Sequence, residues 1–369
     1  MIKYISEYRD KKLIEDTLSE IRRISHKPVT LMEVCGGHTM SLHKNGIPAL
    51  LPGTIKLLSG PGCPVCVTSR RFIDNAVAAG RMEDTVVTTF GDLIRVPGSE
   101  TSLEKEKADG RDIRIVYSSA DALKIASENP DKKVIFLGIG FETTAPSSAV
   151  AILRAQRETL NNFYILSAHK VMPPAMAALI DKGVKIDGYI CPGHVSTIAG
   201  SNMYLPLVEN YGVGCVVSGF EPLDLLQTIY MLVRQHEEGS VKVENQYIRA
   251  VTPEGNLKAI EQMDKVFEPD NDWWRGLGVI PESGLKIKDE YKAFDAYSQF
   301  QLDEEMDASF IEEEEGCRCA DVLKGIISPP ECSFFGTRCT PEDPAGACMV
   351  SSEGACAAWF RYSGKGLVL

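Results

Sequence analysis

The chain has 369 residues, of which 44% are hydrophobic and 24% are charged, and its formal net charge is −12. This length is enough for two or three compact units, and the composition excludes wholesale disorder. A negative field repels phosphate backbones and anionic lipid surfaces, so we expect neither nucleic acid nor a membrane among the partners.

Eleven cysteines stand in a sequence in which no apolar stretch approaches the ~20 residues of a membrane-spanning helix. The first residues also lack the apolar core of a signal peptide, so we expect a cytoplasmic protein. Cytosolic reductants keep thiols reduced, which disfavours structural disulfides. The cysteines therefore indicate metal binding or thiol redox chemistry.

The order of the predicted elements is typical of an α/β protein. Residues 10–24 carry apolar side chains at helical spacing and predict an amphipathic first helix. Short apolar runs then alternate with helical patterns as far as about residue 238, as in parallel sheets. We predict a first α/β domain over 10–118, a second over 119–238, and a smaller, mainly helical or irregular domain over 239–369, on which the first helix is a candidate to pack.

The motif Cys-Pro-Val-Cys, with thiols at Cys63 and Cys66, follows a predicted strand and a Gly-Pro-Gly turn and precedes a helical pattern. A thiol near a helix amino terminus meets the positive end of the helix dipole, which favours thiolate. A redox dithiol is the interpretation we favour. The alternative is half of a zinc site, which needs two further ligands.

Cys35 ends a predicted strand and is followed by Gly36, Gly37 and His38. A thiolate there lies at the carboxyl end of a strand, where open α/β sheets place their ligand sites, and the glycines allow close approach of a bound group. A single buried cysteine is most often a small core residue. The His-bearing turn favours a functional thiol.

A loop at the carboxyl edge of the second predicted sheet carries His194, which follows a Pro-Gly pair. We count this imidazole as a candidate site residue. Cys191 and Cys215 lie at the ends of predicted strands and are predicted to be core thiols.

Six cysteines crowd the last 53 residues with the pattern C-x-C-x₁₂-C-x₆-C-x₈-C-x₇-C. A cubane cluster takes four thiolates, so the surplus pair suggests a dithiol beside a cluster. Zinc is the alternative, but it would leave the extra pair without a role. The six are Cys317, Cys319, Cys332, Cys339, Cys348 and Cys356.

Five motifs in this order, MEVCGGHT, GPGCPVCVT, GFETTAP, CPGHVS and CMVSSEGACAAW, resemble the HypD family of hydrogenase maturation factors over about residues 29–362. The resemblance implies two Rossmann-like α/β domains of related topology and a third domain with a [4Fe–4S] cluster. It also implies a redox-active scaffold rather than a conventional turnover enzyme. The scaffold would assemble the Fe(CN)₂CO unit of [NiFe]-hydrogenase.

The same resemblance implies roles for individual cysteines. Cys35 would hold the iron together with a cysteine of a HypC-type small chaperone, a HypE-type protein would donate cyanide, and the hydrogenase large subunit would be served indirectly. The family spacing C-x₁₄-C-x₆-C-x₁₆-C implies the cluster ligands Cys317, Cys332, Cys339 and Cys356. It leaves Cys319 and Cys348 as a dithiol, from which electrons would pass to Cys63 and Cys66 and then to the iron.

One position departs from the family pattern, because Met40 stands where many relatives have a second histidine. His38 is then the imidazole of the turn, with two interpretations: it donates a hydrogen bond to an iron-bound cyanide or orients Cys35, or it only stabilises the turn. An alternative function for the whole chain is an iron–sulfur disulfide reductase similar to ferredoxin-thioredoxin reductase.

Overall fold

The computed structural model describes residues 6–302 and 315–362. Its strands are β1 Val29–Glu33, β2 Ile55–Ser59, β3 Thr85–Thr89, β4 Ile113–Ile115, β5 Lys133–Gly140, β6 Phe163–His169, β7 Gly188–Pro192, β8 Gly214–Ser218, β9 Val243–Asn245, β10 Phe267–Trp274 and β11 Gly278–Ile287.

The α-helices are α1 Lys11–Ile24, α2 Gly36–Lys44, α3 Ile47–Leu50, α4 Pro64–Val67, α5 Arg70–Arg81, α6 Leu103–Ala108, α7 Ser119–Glu128, α8 Ala145–Arg157, α9 Met172–Asp181, α10 Gly193–Ala199, α11 Leu205–Tyr211, α12 Pro222–Glu238, α13 Leu257–Val266, α14 Ala296–Phe300, α15 Cys319–Leu323, α16 Ala347–Val350 and α17 Ala355–Tyr362. Short 3₁₀ helices occupy Ser6–Arg9, Leu93–Arg95, Ser201–Tyr204, Asp289–Phe294 and Pro329–Glu331. Within these ranges, no helix combines the length and apolar character needed to cross a membrane.

Two parallel sheets form the body of the protein, which confirms the predicted α/β class. The first has five strands in the order β2-β1-β7-β8-β9, and the second has four in the order β4-β3-β5-β6. Counted within each sheet, the order is 2-1-3-4, with a fifth strand added to the first sheet. Both sheets thus share the flavodoxin-like strand order, which has a topological switch point between its first and third strands.

The second sheet is inserted into the first along the chain. Its strands all lie between residues 85 and 169, whereas the first sheet takes β1 and β2 from before this segment and β7 to β9 from after it. The boundary predicted at residues 118/119 therefore does not separate the sheets but cuts the second one between β4 and β5. An alternation of strands and helices predicts parallel pairing without specifying which strands pair.

The predicted third domain also needs correction over its first 50 residues. β9 extends the first sheet, and β10 and β11 form an antiparallel hairpin, whereas the sequence pattern suggested fading strand content. The sequence pattern did not predict the strand β10, because residues 268–271 are exposed and are polar or Pro, so the strand lacks apolar alternation. Beyond residue 288 the described segments are helical or irregular.

The first helix packs on α12, on the outer face of the first sheet, rather than on the cysteine-rich tail. Ile14, Leu18 and Ile21 form its buried stripe, and the Asp10 carboxylate caps its amino terminus by accepting the Leu13 N–H at 3.0 Å. The predicted helix over residues 10–24 is thus confirmed. This helix covers the sheet that carries Cys35.

A buried ion pair fixes the loop after β9 to the start of α12. The fully buried Asp224 carboxylate accepts hydrogen bonds from the Arg249 guanidinium at 2.8 Å and from Gln246 Nε2 at 2.8 Å. The same guanidinium lies over the rings of Tyr8 and Tyr247, 3.8 and 4.5 Å from their centroids. One cation therefore joins the amino-terminal segment, α12 and the loop that borders the site.

We expect Arg249→Met to lower the free energy of unfolding by about 3 kcal/mol, because it leaves the Asp224 carboxylate buried without its cation. The measurement is urea denaturation. A matched control is Arg23→Met, which breaks an exposed pair with Glu20 and should leave the midpoint unchanged. Equal losses in the two variants would contradict the role given to burial.

Candidate functional site

Cys35 lies at the switch point of the first sheet. It follows β1 and is the residue before α2, with 8% of its surface exposed. The neighbouring strand β7 leads directly into His194 on α10. The prediction that placed His194 at the edge of the second sheet is therefore wrong, because β7 belongs to the first sheet. His194 and Cys35 stand at the same carboxyl edge, where the chain leaves adjacent strands in opposite directions and opens a crevice.

A buried carboxylate holds the Cys35 turn. Glu33, at the end of β1, accepts the Cys35 N–H at Oε2 with a distance of 3.0 Å and the Thr39 hydroxyl at Oε1. Burial raises the pKa of Glu33 to about 8. Sequence reasoning missed this residue, although a charged residue at the end of an apolar strand was a signal that it serves the following turn.

Groups around Cys35 have opposing effects on the pKa of its thiol. Burial and, second to it, the carboxylate of Glu353 raise the pKa of the thiol to about 12. The backbone N–H groups of His38 and Gly37, at the start of α2, oppose this rise. Without a cation, the group is a thiol at neutral pH, and a bound metal ion would supply the charge that stabilises its thiolate.

Glu353 belongs to the cysteine-rich tail and packs directly on the Cys35 turn. A Cβ atom added at Gly36 would collide with the Glu353 side chain and backbone, so only glycine allows this approach. Burial raises the pKa of the Glu353 carboxyl. The sequence predicts no role for Glu353, although its motif, SSEGAC, is part of the family resemblance. A contact between residues 36 and 353 leaves no local pattern in the sequence.

His38 is fully buried, and burial lowers its pKa to about 4, so the ring is neutral at physiological pH. Its Nε2 lies 3.3 Å from the Ser218 carbonyl oxygen and must donate to it. The Nδ1 atom then carries a lone pair and has no hydrogen-bond partner among the described residues. Donation from Nδ1 to a cyanide nitrogen is not available in this tautomer.

Phe220, which sequence reasoning also missed, separates the two histidines. Its ring stacks on His194 at a centroid distance of 4.0 Å and lies 4.8 Å from His38. Burial lowers the pKa of His194. The three rings form an aromatic wall beside Cys35.

An open cleft leads to this wall from solvent. Gly37, Met40, His194, Phe220 and Glu353 line it, so the methionine that departs from the family pattern faces the cleft. Four cations also line it: Arg9, Lys11, Lys44 and Arg249.

The Cys63 and Cys66 pair lies beside the Cys35 turn. The two residues are joined by a disulfide, Cys63 caps the short helix α4, and both are buried. Gly62 touches the backbone of Cys35 so closely that a Cβ atom would overlap it, and its carbonyl accepts the Gly36 N–H at 3.0 Å. The structure therefore brings these two predicted sites together.

All six tail cysteines line one small apolar cavity. Cys319 and Cys348 are the most deeply buried of them, with their sulfur atoms 2.7 Å apart, whereas Cys317, Cys332 and Cys356 are partly exposed. The neighbouring thiols of Cys319 and Cys356, and burial, raise the pKa of Cys348 well above its ordinary value. The six cysteines thus divide into an inner pair and an outer set of four, completed by Cys339.

The arrangement of the six cysteines is compatible with an iron–sulfur site. Among the described residues, no three Cys, His, Asp or Glu side chains converge as ligands of one metal ion. A [4Fe–4S] cluster needs four thiolates that each bind a different iron, so its ligands surround a cavity instead of meeting at a point. The outer set has this donor chemistry, and the Ala345 N–H donates to the Cys339 sulfur at 3.3 Å.

The tail also contacts the disulfide and the second sheet. The Cys66 sulfur lies 3.9 Å from the carbonyl oxygen of Ala347, which precedes Cys348. Ser351 donates to Asp92, just beyond β3, at 2.9 Å. The predicted cysteine sites therefore form a spatial series from the tail cavity, through the inner pair and the disulfide, to Cys35.

Comparison with known proteins places these features in a family. A sequence model described as "HypD: Hydrogenase formation hypA family" matches residues 12–363. The chain belongs to the HypD family. It is 45% identical to the hydrogenase maturation factor HypD of Rhodobacter capsulatus over 98% of this chain and 99% of that protein.

Other family members are similarly close. The hydrogenase expression/formation protein HupD of Azotobacter chroococcum is 44% identical over 98% of this chain and 97% of its own length. A putative hydrogenase expression/formation protein of Methanocaldococcus jannaschii is 44% identical over 96% of this chain and 98% of its own length. The family resemblance inferred from five motifs is thus confirmed.

Glu142, in the motif GFETTAP, occupies the switch point of the second sheet. It is buried after β5, its Oε1 accepts the Met172 N–H at 3.0 Å, and its Oε2 has no partner among the described residues. Burial raises the pKa of this carboxyl to about 7. The motif was recognised from the sequence, but the burial of its acid was not.

The raised pKa of Glu142 predicts a pH dependence of stability. A carboxyl whose pKa rises on folding contributes stability that is complete below its unfolded pKa, 4.5, and is lost as the pH rises through about 7. We expect Glu142→Gln, which mimics the neutral acid, to raise the free energy of unfolding by about 3 kcal/mol near pH 8.5 and by only about 1 kcal/mol near pH 5.5. Urea denaturation at both pH values measures this, and an equal effect at both would contradict it.

Proposed function

We propose that the protein is the scaffold on which the Fe(CN)₂CO unit of [NiFe]-hydrogenase is assembled, with Cys35 as the thiolate that holds the iron. The observation that carries the proposal is the spatial series of cysteines that ends at the switch point of the first sheet. A hydrogenase maturation role agrees with the names of the relatives. A cytoplasmic setting agrees with thiols that must be reduced to act.

The tail is assigned a [4Fe–4S] cluster. The outer cysteines Cys317, Cys332, Cys339 and Cys356 would be its ligands, and the close inner pair Cys319 and Cys348 would be the dithiol. Two observations support this division: the 2.7 Å sulfur separation of the inner pair and its deeper burial. When bound, the cluster would supply single electrons to thiol chemistry that proceeds in pairs of electrons.

The chain's own groups prepare Cys35 for its cargo. Glu33 fixes the backbone of the turn, and the N–H groups of Gly37 and His38 point at the sulfur and favour its thiolate. His38 would hold the turn against the end of β8, because its Nε2–H is committed to the Ser218 carbonyl oxygen. Phe220, stacked on the exposed His194, places an aromatic ring beside the Cys35 turn.

The cleft reaches Gly37, two residues after Cys35, so partner proteins would approach the thiol from this side. A HypC-type chaperone would contribute a second cysteine to the iron there, a HypE-type protein would deliver cyanide, and the completed unit would pass to the hydrogenase large subunit. Lys11 and Lys44 in the cleft give it cations that suit an anionic cyanide-bearing complex. The proposal thus explains why the site is open although its thiol is nearly buried.

The alternative, a disulfide reductase for other proteins, agrees less well with the structure. Such an enzyme needs a thiol that an external disulfide can reach. Here Cys63, Cys66, Cys319 and Cys348 are each at most 3% exposed. The burial of these thiols favours electron transfer within the chain.

We expect the anaerobically purified protein to contain about four iron atoms and about four sulfides per chain. Replacing an outer cysteine, as in Cys332→Ala, should abolish both, since the cluster loses a ligand. The control Cys215→Ala removes a buried core thiol and should leave both unchanged. Zinc without acid-labile sulfide in the wild type would overturn the cluster assignment.

We expect Cys35→Ala to abolish the infrared CN and CO stretching bands of the protein prepared with its maturation partners. The iron and the sulfide of the tail cluster should persist. The reason is that the cargo iron loses its thiolate, whereas the cluster does not. Cys215→Ala again serves as the matched control and should retain the bands. Bands that survive in Cys35→Ala would show that the iron is held elsewhere.

A further inference from the structure

We propose that the two dithiols exchange electrons through one defined pair of sulfur atoms: Cys348 attacks Cys66, and Cys63 is the leaving thiolate. This inference rests on the proposed function and specifies its internal step. The starting state is the Cys63–Cys66 disulfide with Cys319 and Cys348 reduced, as the structure has them.

Position distinguishes the two sulfurs of the disulfide. The Cys66 sulfur points towards the tail, 3.9 Å from the Ala347 carbonyl oxygen, and its helix α4 packs on α16, which carries Cys348. Cys63 follows Gly62, which lies against the backbone of Cys35. One end of the disulfide therefore adjoins the inner pair, and the other adjoins the Cys35 turn.

The hydrogen bonds of the two sulfurs also favour Cys63 as the leaving group. The backbone N–H of Cys66 points at the Cys63 sulfur at 3.2 Å, so a negative charge on Cys63 gains a donor. The Cys66 sulfur instead faces a carbonyl oxygen, which disfavours a negative charge. Because thiol–disulfide exchange is faster when the leaving thiolate is better stabilised, Cys63 is the better leaving group.

The step balances within the chain. The Cys348 thiol gives up its proton as its sulfur forms a bond to the Cys66 sulfur, the Cys63–Cys66 bond breaks, and Cys63 departs with the bonding electron pair as a thiolate that takes up this proton. The Cys319 thiolate then attacks Cys348, which forms the Cys319–Cys348 bond and releases Cys66. Two electrons have passed from the inner pair to Cys63 and Cys66, and the two protons of the inner thiols end on the reduced pair.

Cys319 is already in place for the second attack, since its sulfur lies 2.7 Å from that of Cys348. The burial of all four residues excludes solution thiols from the exchange. The order also leaves Cys63, the thiolate released first, beside the iron-holding turn. The exchange thus has a direction that the sequence motif alone does not specify.

The test traps the mixed disulfide in the full-length chain. In Cys63→Ser/Cys319→Ser the leaving and resolving thiols are absent, and Cys66 and Cys348 remain. The matched control, Cys66→Ser/Cys319→Ser, retains Cys63 and Cys348 instead. Both are oxidised with diamide without oxygen, the remaining thiols are alkylated, and the disulfides are mapped by peptide mass spectrometry.

We expect the Cys66–Cys348 bond in the first variant to exceed the Cys63–Cys348 bond in the control by roughly tenfold. Equal or reversed yields, or neither bond in chains that retain the wild-type circular dichroism spectrum, overturn the proposal. Alanine replacements at the same positions repeat the comparison if serine unfolds the chain. Intact infrared bands in the wild type with a failed trap would refute this exchange and leave the scaffold function standing.

Discussion

The organisation of the site depends on close backbone approach at the Cys35 turn. Gly36 admits the tail at Glu353, and Gly62 admits the segment that carries the disulfide, in each case with no room for a Cβ atom. Three chain segments, from β1, from beyond β2 and from the tail, therefore meet around one sulfur. A larger residue at either glycine would move them apart and increase the distance between the thiols whose chemistry must be coupled.

The shared strand order of the two sheets gives the tail two places to dock. Gly36 marks the switch point of the first sheet, and Asp92 follows the corresponding strand of the second. The tail loop reaches both, through Glu353 and through Ser351, within three residues. Crevices that hold nucleotides or other small ligands in many open α/β sheets here receive part of the chain's own cysteine-rich segment.

Much of this arrangement was predictable, because the motifs encode it locally. The thiols of the Cys-Pro-Val-Cys motif, the strand before Cys35 and the first helix follow from spacing and periodicity. The insertion of one sheet into the other was not predictable, since strand patterns do not specify partners. The roles of Glu33 and Glu353 were also hidden, because burial and a contact between residues distant in sequence leave no periodic signal.

The insertion has a consequence for how the chain folds as it is synthesised. The second sheet is contiguous, so its strands can pair once residue 169 has left the ribosome. In contrast, β1 can pair with β2 early, but its other neighbour, β7, is made more than 120 residues after β2, and the Cys35 crevice between β1 and β7 forms only then. Non-local pairing of this kind is slow, so the nascent first strands need protection from other contacts for the longest time.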